Sequence, residues 1–170
     1  MKPLVLFLVL LSGCAALYPT PPYPAPLNHE DLPGFAEVDE GVYRFSQPTP
    51  AQVKWLHERY GITDIFKLDH WYEGTDTATP GVTIHYYALD PVLSSYADFM
   101  RAYRAIQQAH VEGKIVGWHC KIGRDRTGTM AFVWKVRHGV YVWEAYYNLM
   151  RMGFHPYRAL WSIVSKEAGW

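Results

Sequence analysis

The sequence predicts an α/β fold in which a mainly parallel central sheet of about four strands is flanked by helices. Short apolar segments rich in β-branched residues alternate along the chain with longer segments whose apolar residues recur at helical spacing. The chain has 170 residues, of which 49% are hydrophobic, enough for one sizeable core and too few for two. Strands that alternate with helices are typical of a parallel sheet covered by helices on both faces.

The first half of the predicted domain contains three strands and one helix. The expected elements are a strand at 42–45, a helix at 50–60, and strands at 62–68 and 82–89. Thr49 and Pro50 suit the N-cap and the first residue of the helix, and Gly61 suits its end. Residues 69–81, between the last two strands, are predicted to form a polar loop at the edge of the sheet.

The second half contains one strand and four helices, which completes the order βαββαβααα. The expected elements are a helix at about 95–111, a strand at 115–118, a helix that ends before Gly139, and helices at 142–152 and 157–168. Ser95 and Asp98 resemble a capping box at the start of the first of these helices, and Gly113 ends it. In such sheets ligands bind beyond the carboxyl ends of the strands. The segment that follows the fourth strand lies at such an end.

That segment is His119-Cys120-Lys121-Ile122-Gly123-Arg124-Asp125-Arg126-Thr127-Gly128. It leads into a predicted helix, whose first turn offers unpaired N–H groups and a partial positive charge to an anion. The same field favours the thiolate of Cys120 over its thiol, and the guanidinium of Arg126 offers two parallel hydrogen bonds to a phosphate. Gly123 allows a bend with positive φ, and Thr127 brings a hydroxyl near the thiolate. These residues predict a phosphate-binding loop with a nucleophilic cysteine.

The pattern His-Cys-x-x-Gly-x-x-Arg-Thr-Gly resembles the active-site signature of the cysteine-dependent protein tyrosine phosphatase superfamily, in its compact dual-specificity branch. The resemblance implies a dual-specificity-phosphatase-like fold and hydrolysis of phosphomonoesters through a cysteinyl-phosphate intermediate. It implies that Cys120 is the nucleophile and that His119 and Thr127 support it. The implied phosphate-binding residues are Lys121, Ile122, Gly123, Arg124, Asp125 and Arg126. Two other interpretations are a catalytically inactive phosphate-binding module and a rhodanese-like sulfurtransferase, which also uses a cysteine loop.

The chemistry needs a general acid, because a leaving alkoxide or phenolate departs slowly without a proton. Asp90 follows the strand at 82–89, lies 120 − 90 = 30 residues before Cys120, and precedes Pro91; its spacing resembles that of the family's general-acid loop. Asp125 is the rival, because an Asp directly before the arginine is similar to the loop of myotubularin-like phosphoinositide phosphatases. Each has a structural alternative: Asp90 as a turn residue, and Asp125 as a partner of a neighbouring arginine. Asp69 and Asp76 are expected to face solvent.

The N-terminus predicts export and lipid attachment. Lys2 and the apolar run at 4–11 form a signal-like segment that is too short to span a bilayer. The segment Leu11-Ser12-Gly13-Cys14 resembles a bacterial lipobox, with cleavage before a lipid-modified Cys14; ordinary cleavage near Ala15 is the alternative. Six prolines between 19 and 33 predict an extended tether. The expected organisation is a signal peptide at 1–13, a lipidated cysteine and tether at 14–34, and a phosphatase domain at 35–170, anchored at a bacterial outer membrane and facing the periplasm.

Charge and composition limit the partners. The net charge is zero, so no overall field attracts nucleic acid. Residues 1–100 carry 5 Lys/Arg and 12 Asp/Glu, a balance of −7, whereas residues 101–170 carry 11 and 4, a balance of +7. The basic half holds the loop, where Lys121 and Arg124 add charge that suits phosphoinositide-type substrates as well as phosphotyrosine proteins. The eight histidines show no paired metal-binding spacing, so we expect no bound metal. We also expect a monomer that needs no cofactor.

Overall fold

The computed structural model describes residues 32–69 and 79–170. The signal segment, Cys14, nearly all of the tether and residues 70–78 of the polar loop, including Asp76, lie outside the described residues. Within them the chain forms an α/β domain with a central, mostly parallel sheet flanked by helices, as the sequence predicts. No helix of the described part is long and apolar enough to cross a membrane.

The sheet of the described residues has five strands. They are β1 (Ala36–Asp39), β2 (Val42–Ser46), β3 (Asp64–Lys67), β4 (Thr83–Tyr86) and β5 (Val116–Cys120). Their spatial order is β1-β2-β5-β3-β4, and every neighbouring pair is parallel except β1 and β2. The strand that leads to the phosphate loop therefore lies at the centre of the sheet, between β2 and β3.

The estimate of about four strands misses the edge strand β1. Its four residues show a weak alternation of half-buried and exposed side chains, and it exists because it pairs with β2 across a two-residue turn that contains Gly41 at a φ of 68°. A short edge strand of this kind depends on its partner more than on its own sequence.

The five helices within residues 32–69 and 79–170 match the predicted segments closely. They are α1 (Pro50–Tyr60), α2 (Tyr96–Val111), α3 (Asp125–Arg137), α4 (Val142–Arg151) and α5 (Arg158–Ala168). Thr49 and Ser95 both form complete capping boxes, which fix the first residues of α1 and α2. Gly61 ends α1 in the left-handed region at a φ of 72°.

The two faces of the sheet bury separate apolar clusters. The larger cluster combines the sheet with α2, α3, α4 and α5, and the smaller one packs α1 against the other face. Helix α3 is central to the larger cluster, because its eight consecutive residues 127–134 are all buried. Because both β5 and α3 are buried, the loop that joins them is held by the core at both ends.

Candidate active site

Cys120 is the last residue of β5 and is 1% exposed. Parallel pairing places it opposite Ser46 of β2, and the neighbouring His119 lies opposite Lys67 of β3. The loop that begins there is tied to both adjacent strand ends, because Leu68 N donates to His119 O at 2.8 Å and Gln47 N donates to Lys121 O at 3.2 Å. The cysteine therefore sits at the carboxyl end of the sheet, where ligands of such folds bind.

Gly123 lets the loop lie directly against β2. Its φ is 67°, in the left-handed region that favours glycine. A Cβ at this position would lie 2.7 Å from the backbone nitrogen of Ser46 and 2.9 Å from the carbonyl carbon of Phe45. Both the bend and the contact therefore require glycine, in agreement with the role that the sequence assigns to it.

Arg44 supports the loop from beneath, a role that the sequence analysis missed. It is 2% exposed, and its guanidinium donates to the carbonyl of Gly123 and to the sulfur of Met152. Burial lowers the pKa of Arg44 to about 10, and the neighbouring Cys120 opposes that shift. The side chain stays charged at neutral pH. A signal for it was present, because an arginine in the otherwise apolar strand Val42–Phe45 is unusual and calls for a partner.

Arg126 is held over the loop by two acceptors. Its side chain is 11% exposed; Nη1 donates to Leu89 O at 2.9 Å and Nη2 lies 3.3 Å from Asp69 Oδ2. The same oxygen of Asp69 accepts a hydrogen bond of 2.8 Å from Lys121 N. Asp69 thus fixes the first amide of the loop and the arginine at its end.

The expectation that Asp69 faces solvent is wrong. The residue is fully buried, because it lies two residues after the end of β3 and its carboxylate turns to the neighbouring loop instead of outward. A charged side chain in this setting needs partners, which Lys121 and Arg126 provide. Sequence alone gave no sign of this, since the contacts join residues more than 50 positions apart.

Asp90 lies beside this arrangement. It follows Leu89, whose carbonyl accepts from Arg126, so the chain brings it to the same edge of the loop. Its Oδ1 accepts from the backbone N–H groups of Val92 and Leu93 at 2.8 and 2.9 Å. The carboxylate is therefore oriented by the turn that it caps, as the structural alternative for Asp90 describes, and its place next to the phosphate loop fits the general-acid role as well.

Asp125 faces a different part of the molecule. It is the first residue of α3 and is 7% exposed; its Oδ1 accepts from His155 N at 2.9 Å and from Arg124 Nε at 3.3 Å. The turn between α4 and α5 also approaches Arg124, because a Cβ on Gly153 would lie 3.2 Å from Arg124 Cδ. Asp125 thus joins that turn to the N-terminus of α3.

The supporting residues lie behind the loop, whereas two of its side chains face solvent. His119 is fully buried and stacks on Phe45 with ring centroids 5.7 Å apart. Thr127 is also fully buried; its carbonyl accepts from Trp118 Nε1 at 3.1 Å, and its hydroxyl has no hydrogen-bond partner among the residues that the structure describes. Lys121 and Ile122 are exposed, so their side chains border the site, and their backbone forms the loop.

The arrangement combines a buried thiol, the N-terminus of α3 and two guanidinium groups around one loop. Cys120 opens the loop and Arg126 closes it within the first turn of the helix, where Gly128 N donates to Arg124 O at 2.7 Å. Such a site can hold a tetrahedral dianion between backbone amides and a planar cation while a thiolate faces its central atom.

No known family's sequence profile matches the chain, and no curated protein matches it in sequence. Solved structures do match its fold. The crystal structure of P. aeruginosa TpbA aligns with a TM-score of 0.67 at 20% identity over 78% of this chain and 84% of that one. PTPMT1 aligns at 0.65 and 17% identity over 79% and 94%, and the active form of Tk-PTP at 0.66 and 20% over 81% and 97%. Human DUSP28 is a further match, at 0.65 and 20% over 81% and 94%. The chain therefore has the fold of dual-specificity and tyrosine phosphatases.

Proposed function

We propose that the chain is a phosphomonoesterase that works through a cysteinyl-phosphate intermediate. The observation that carries the proposal is the loop from Cys120 to Arg126, which joins the central strand β5 to the N-terminus of α3 and has its arginine fixed by Asp69 and Leu89. A structural cysteine would need none of these neighbours. The similarity in fold to phosphatases supports the same conclusion.

In the first step the thiolate of Cys120 attacks phosphorus, an S–P bond forms, and the bond from phosphorus to the leaving oxygen breaks. Arg126 and the loop amides bind the equatorial oxygens as charge shifts onto them. Asp90 donates its proton to the leaving oxygen. The backbone N–H groups of Val92 and Leu93 donate to Oδ1 of Asp90 and hold its carboxyl group in the turn beside the loop.

In the second step water attacks phosphorus and the S–P bond breaks. Asp90, now ionised, accepts the proton from the water, inorganic phosphate leaves, and the Cys120 thiolate is restored. Asp125 takes no part in either step, because its carboxylate is engaged by Arg124 and by the turn before α5.

The substrate class that we propose is a phosphotyrosine protein or a phosphoinositide-type or inositol-phosphate molecule. Among the solved structures of the same fold, one is a complex of a TpbA variant with phosphotyrosine, and another is PTPMT1 in complex with PI(5)P. In this chain the exposed Lys121 and the half-exposed Arg124 border the loop. Two cations beyond Arg126 suit a substrate with more than one phosphate.

We also propose that the protein is exported and attached to a membrane through Cys14. The support comes from the N-terminal sequence: a basic residue, an apolar run too short to span a bilayer, and small residues directly before the cysteine. Mass spectrometry of the N-terminal peptide tests it. A diacylglyceryl modification on Cys14 is the expected result, and an unmodified N-terminus near Ala15 would contradict it.

Activity is tested first with p-nitrophenyl phosphate. We expect phosphate release by the wild-type chain and its loss to background in Cys120→Ser and in Arg126→Ala, with Arg101→Ala, an exposed arginine of α2, as the matched control. Phosphate release by Cys120→Ser would sink the proposal. Binding of orthophosphate without turnover would indicate the inactive module, and transfer of sulfur from thiosulfate to cyanide would indicate the sulfurtransferase.

A panel measured under one set of conditions decides the substrate. Rates on phosphotyrosine peptide, phosphoserine peptide, inositol phosphates and phosphoinositides are compared for the wild-type chain and for Lys121→Gln with Arg124→Gln. If multiply phosphorylated substrates are preferred, the double variant loses that preference and keeps its rate on p-nitrophenyl phosphate within a few-fold. An unchanged preference would remove Lys121 and Arg124 from substrate selection.

A further inference from the structure

The outward side of the last two helices carries a concentration of exposed aromatic surface that the proposed catalysis does not use. We call it the aromatic face. Its members are 37% to 55% exposed and comprise Trp143, Tyr147, Met150, Tyr157, Trp161 and Trp170. An exposed apolar patch of this kind, on a domain whose core is otherwise complete, indicates an interaction surface.

The members of the aromatic face form one continuous surface. Trp143, Tyr147 and Met150 follow one another at helical spacings of four and three along α4, and Tyr157 and Trp161 do so at the start of α5. The ring of Trp170 joins the two helices, because its centroid lies 5.0 Å from that of Trp143 and 6.1 Å from that of Trp161. The core contacts of α5 come from its other side, where Leu160, Ile163 and Val164 are buried.

The charges that border the aromatic face are cationic. Arg151, the last residue of α4, and Arg158, the first of α5, are both exposed, and the Arg151 guanidinium lies 5.7 Å from the centre of the Tyr147 ring. Lys166 faces α2 instead, with Nζ 3.9 Å from the centre of the Tyr96 ring. The two acidic residues between 141 and 170 are half-buried. One of them, Glu167, is engaged by Arg137 at 2.7 Å. The aromatic face therefore presents aromatic rings and positive charges to a binding partner.

This combination suits a lipid surface better than a second copy of the chain. Trp and Tyr rings place an apolar body against acyl chains and a polar tip among headgroups, and arginine and lysine bind the lipid phosphates. Each cation near an anionic bilayer adds to the attraction. Two copies paired through the same face would instead bring Arg151 and Arg158 of each copy toward like charges.

The path of the chain allows this contact. The described residues begin at Leu32, close to the phosphate loop: Ser46 N donates to Pro33 O at 3.0 Å, and a Cβ on Gly34 would lie 3.6 Å from Gly123 O. The turn between α4 and α5 reaches the same loop through His155. The start of the described chain and the end of the aromatic face formed by Met150 and Tyr157 thus both lie near the phosphate loop. An extended tether over residues 14–31, as the sequence predicts, would span roughly 55 Å at about 3.1 Å per residue, enough to leave the face free to reach a membrane.

We propose that the aromatic face docks the domain on a bilayer that contains anionic lipids, with its rings at headgroup level and Arg151 and Arg158 against lipid phosphates. This docking brings the turn between α4 and α5, and with it the rim of the phosphate loop, close to the membrane surface. It depends on the domain alone and does not require that Cys14 be lipidated or that the loop be catalytic.

Tryptophan quenching by brominated lipids tests the proposal. The full chain is reconstituted into vesicles of phosphatidylcholine and phosphatidylglycerol with bromine on the acyl chains. Residues 1–31 contain no tryptophan, so the signal comes from the domain. We expect strong quenching in the wild-type chain. The quenching should be lost in the triple variant that combines Trp143→Phe, Trp161→Phe and Trp170→Phe, a variant that keeps the apolar surface. Trp55→Phe, on α1, is the matched control and should leave the quenched component intact.

A second set of variants separates a membrane from other occupants. Neutralising Arg151 and Arg158 to Gln should reduce quenching several-fold in the mixed vesicles, whereas neutralising the exposed Lys54 and Arg101 to Gln should not. Equal quenching in the triple Phe variant and the wild-type chain would overturn the proposal. An unquenched wild-type chain would overturn it as well, and cross-linking of two copies through single cysteines introduced on the face would then identify a second copy as the occupant. None of these readouts uses phosphatase activity or the mass of the N-terminus, so the earlier proposals stand or fall separately.

Discussion

The two sides of the phosphate loop use the same residue types for different purposes. On the strand side, Asp69 and the carbonyl of Leu89 hold Arg126 toward the centre of the loop. On the helix side, Asp125 holds Arg124 and the backbone of His155, away from that centre. The same pairing of Asp with Arg therefore prepares the site on one side and attaches a neighbouring turn on the other.

The contrast separates the two carboxylates that the sequence left as rivals for the general acid. Asp90 belongs to the strand side, directly after Leu89. Asp125, which has the shorter sequence distance to the arginine, is buried in contacts that stabilise the packing of α3 on the turn before α5. In the proposed mechanism, the side of the loop on which a carboxylate lies therefore distinguishes Asp90 from Asp125 better than proximity in sequence to Arg126 does.

Among the carboxylates and supporting residues, substitution of Asp90 is expected to lower activity the most. Asp90→Asn should lower kcat on phenyl phosphate by roughly 10²- to 10⁴-fold because the leaving phenolate receives no proton, and much less on p-nitrophenyl phosphate, whose leaving group needs less assistance. Steady-state kinetics on both substrates measure this, with Glu58→Gln on α1 as a control for an exposed acid. The basic limb of the kcat/KM profile should also disappear; a retained basic limb would remove Asp90 from the mechanism.

A smaller effect is expected for Asp69, which acts by positioning. Asp69→Asn keeps the shape of the side chain but removes the charge that holds Arg126 and the Lys121 amide. Loss of hydrogen bonds to a charged group predicts a fall of roughly 10- to 100-fold in kcat/KM, with a similar ratio on phenyl and p-nitrophenyl phosphate because no proton transfer is involved. A leaving-group dependence like that of Asp90→Asn would instead show that Asp69 handles the proton.

Substitution of Arg44 tests whether its contacts beneath the loop contribute to activity. Arg44→Met removes the buried cation beside Cys120, so the thiolate loses stabilisation and the pH profile of iodoacetamide alkylation should move to higher pH. We expect a decrease of about tenfold or less in kcat/KM in acidic buffer. Arg44→Lys restores the charge without the fork and should bring the alkylation profile back. An alkylation profile that stays in place in Arg44→Met would reduce Arg44 to a packing role.

The smallest effect on activity is expected for Asp125. Asp125→Asn should leave kcat within about threefold, and should lower the free energy of unfolding by about 1–2 kcal/mol because the contacts to Arg124 and His155 weaken. Urea denaturation and kinetics on phenyl phosphate measure the two quantities in the same preparation. A loss of kcat on phenyl phosphate as large as that expected for Asp90→Asn would reverse the assignment and the comparison with it.

The helices were predictable because residues close to each helix end determine where the helix begins and ends. Thr49, Ser95 and Gly61 act through backbone groups within four residues, and their capping roles hold in the structure. The loop motif was equally clear, since its residue types follow from the chemistry of binding an anion. Strand β1 was missed because its existence depends on pairing with β2. Nothing in the sequence of β1 itself predicts that pairing.

The two charged residues beneath the loop were not predictable from their own segments. Arg44 and Asp69 are buried by contacts with Gly123, Lys121 and Arg126, which are 52 to 79 positions away in the chain. A strand pattern shows which side chains alternate, but it does not show which loop will lie over the strand's end. Such partners emerge only when the sheet order is known.

The burial of Cys120 has a consequence for oxidation. It is the one cysteine within residues 32–69 and 79–170, and the sequence's other cysteine, Cys14, precedes the proline-rich segment. A thiolate that meets peroxide becomes a sulfenic acid, which a neighbouring thiol can rescue as a disulfide before irreversible oxidation follows. Residues 32–69 and 79–170 supply no such thiol, so if the chain is exported as proposed, a thiol or reductant from outside these residues has to restore an oxidised Cys120.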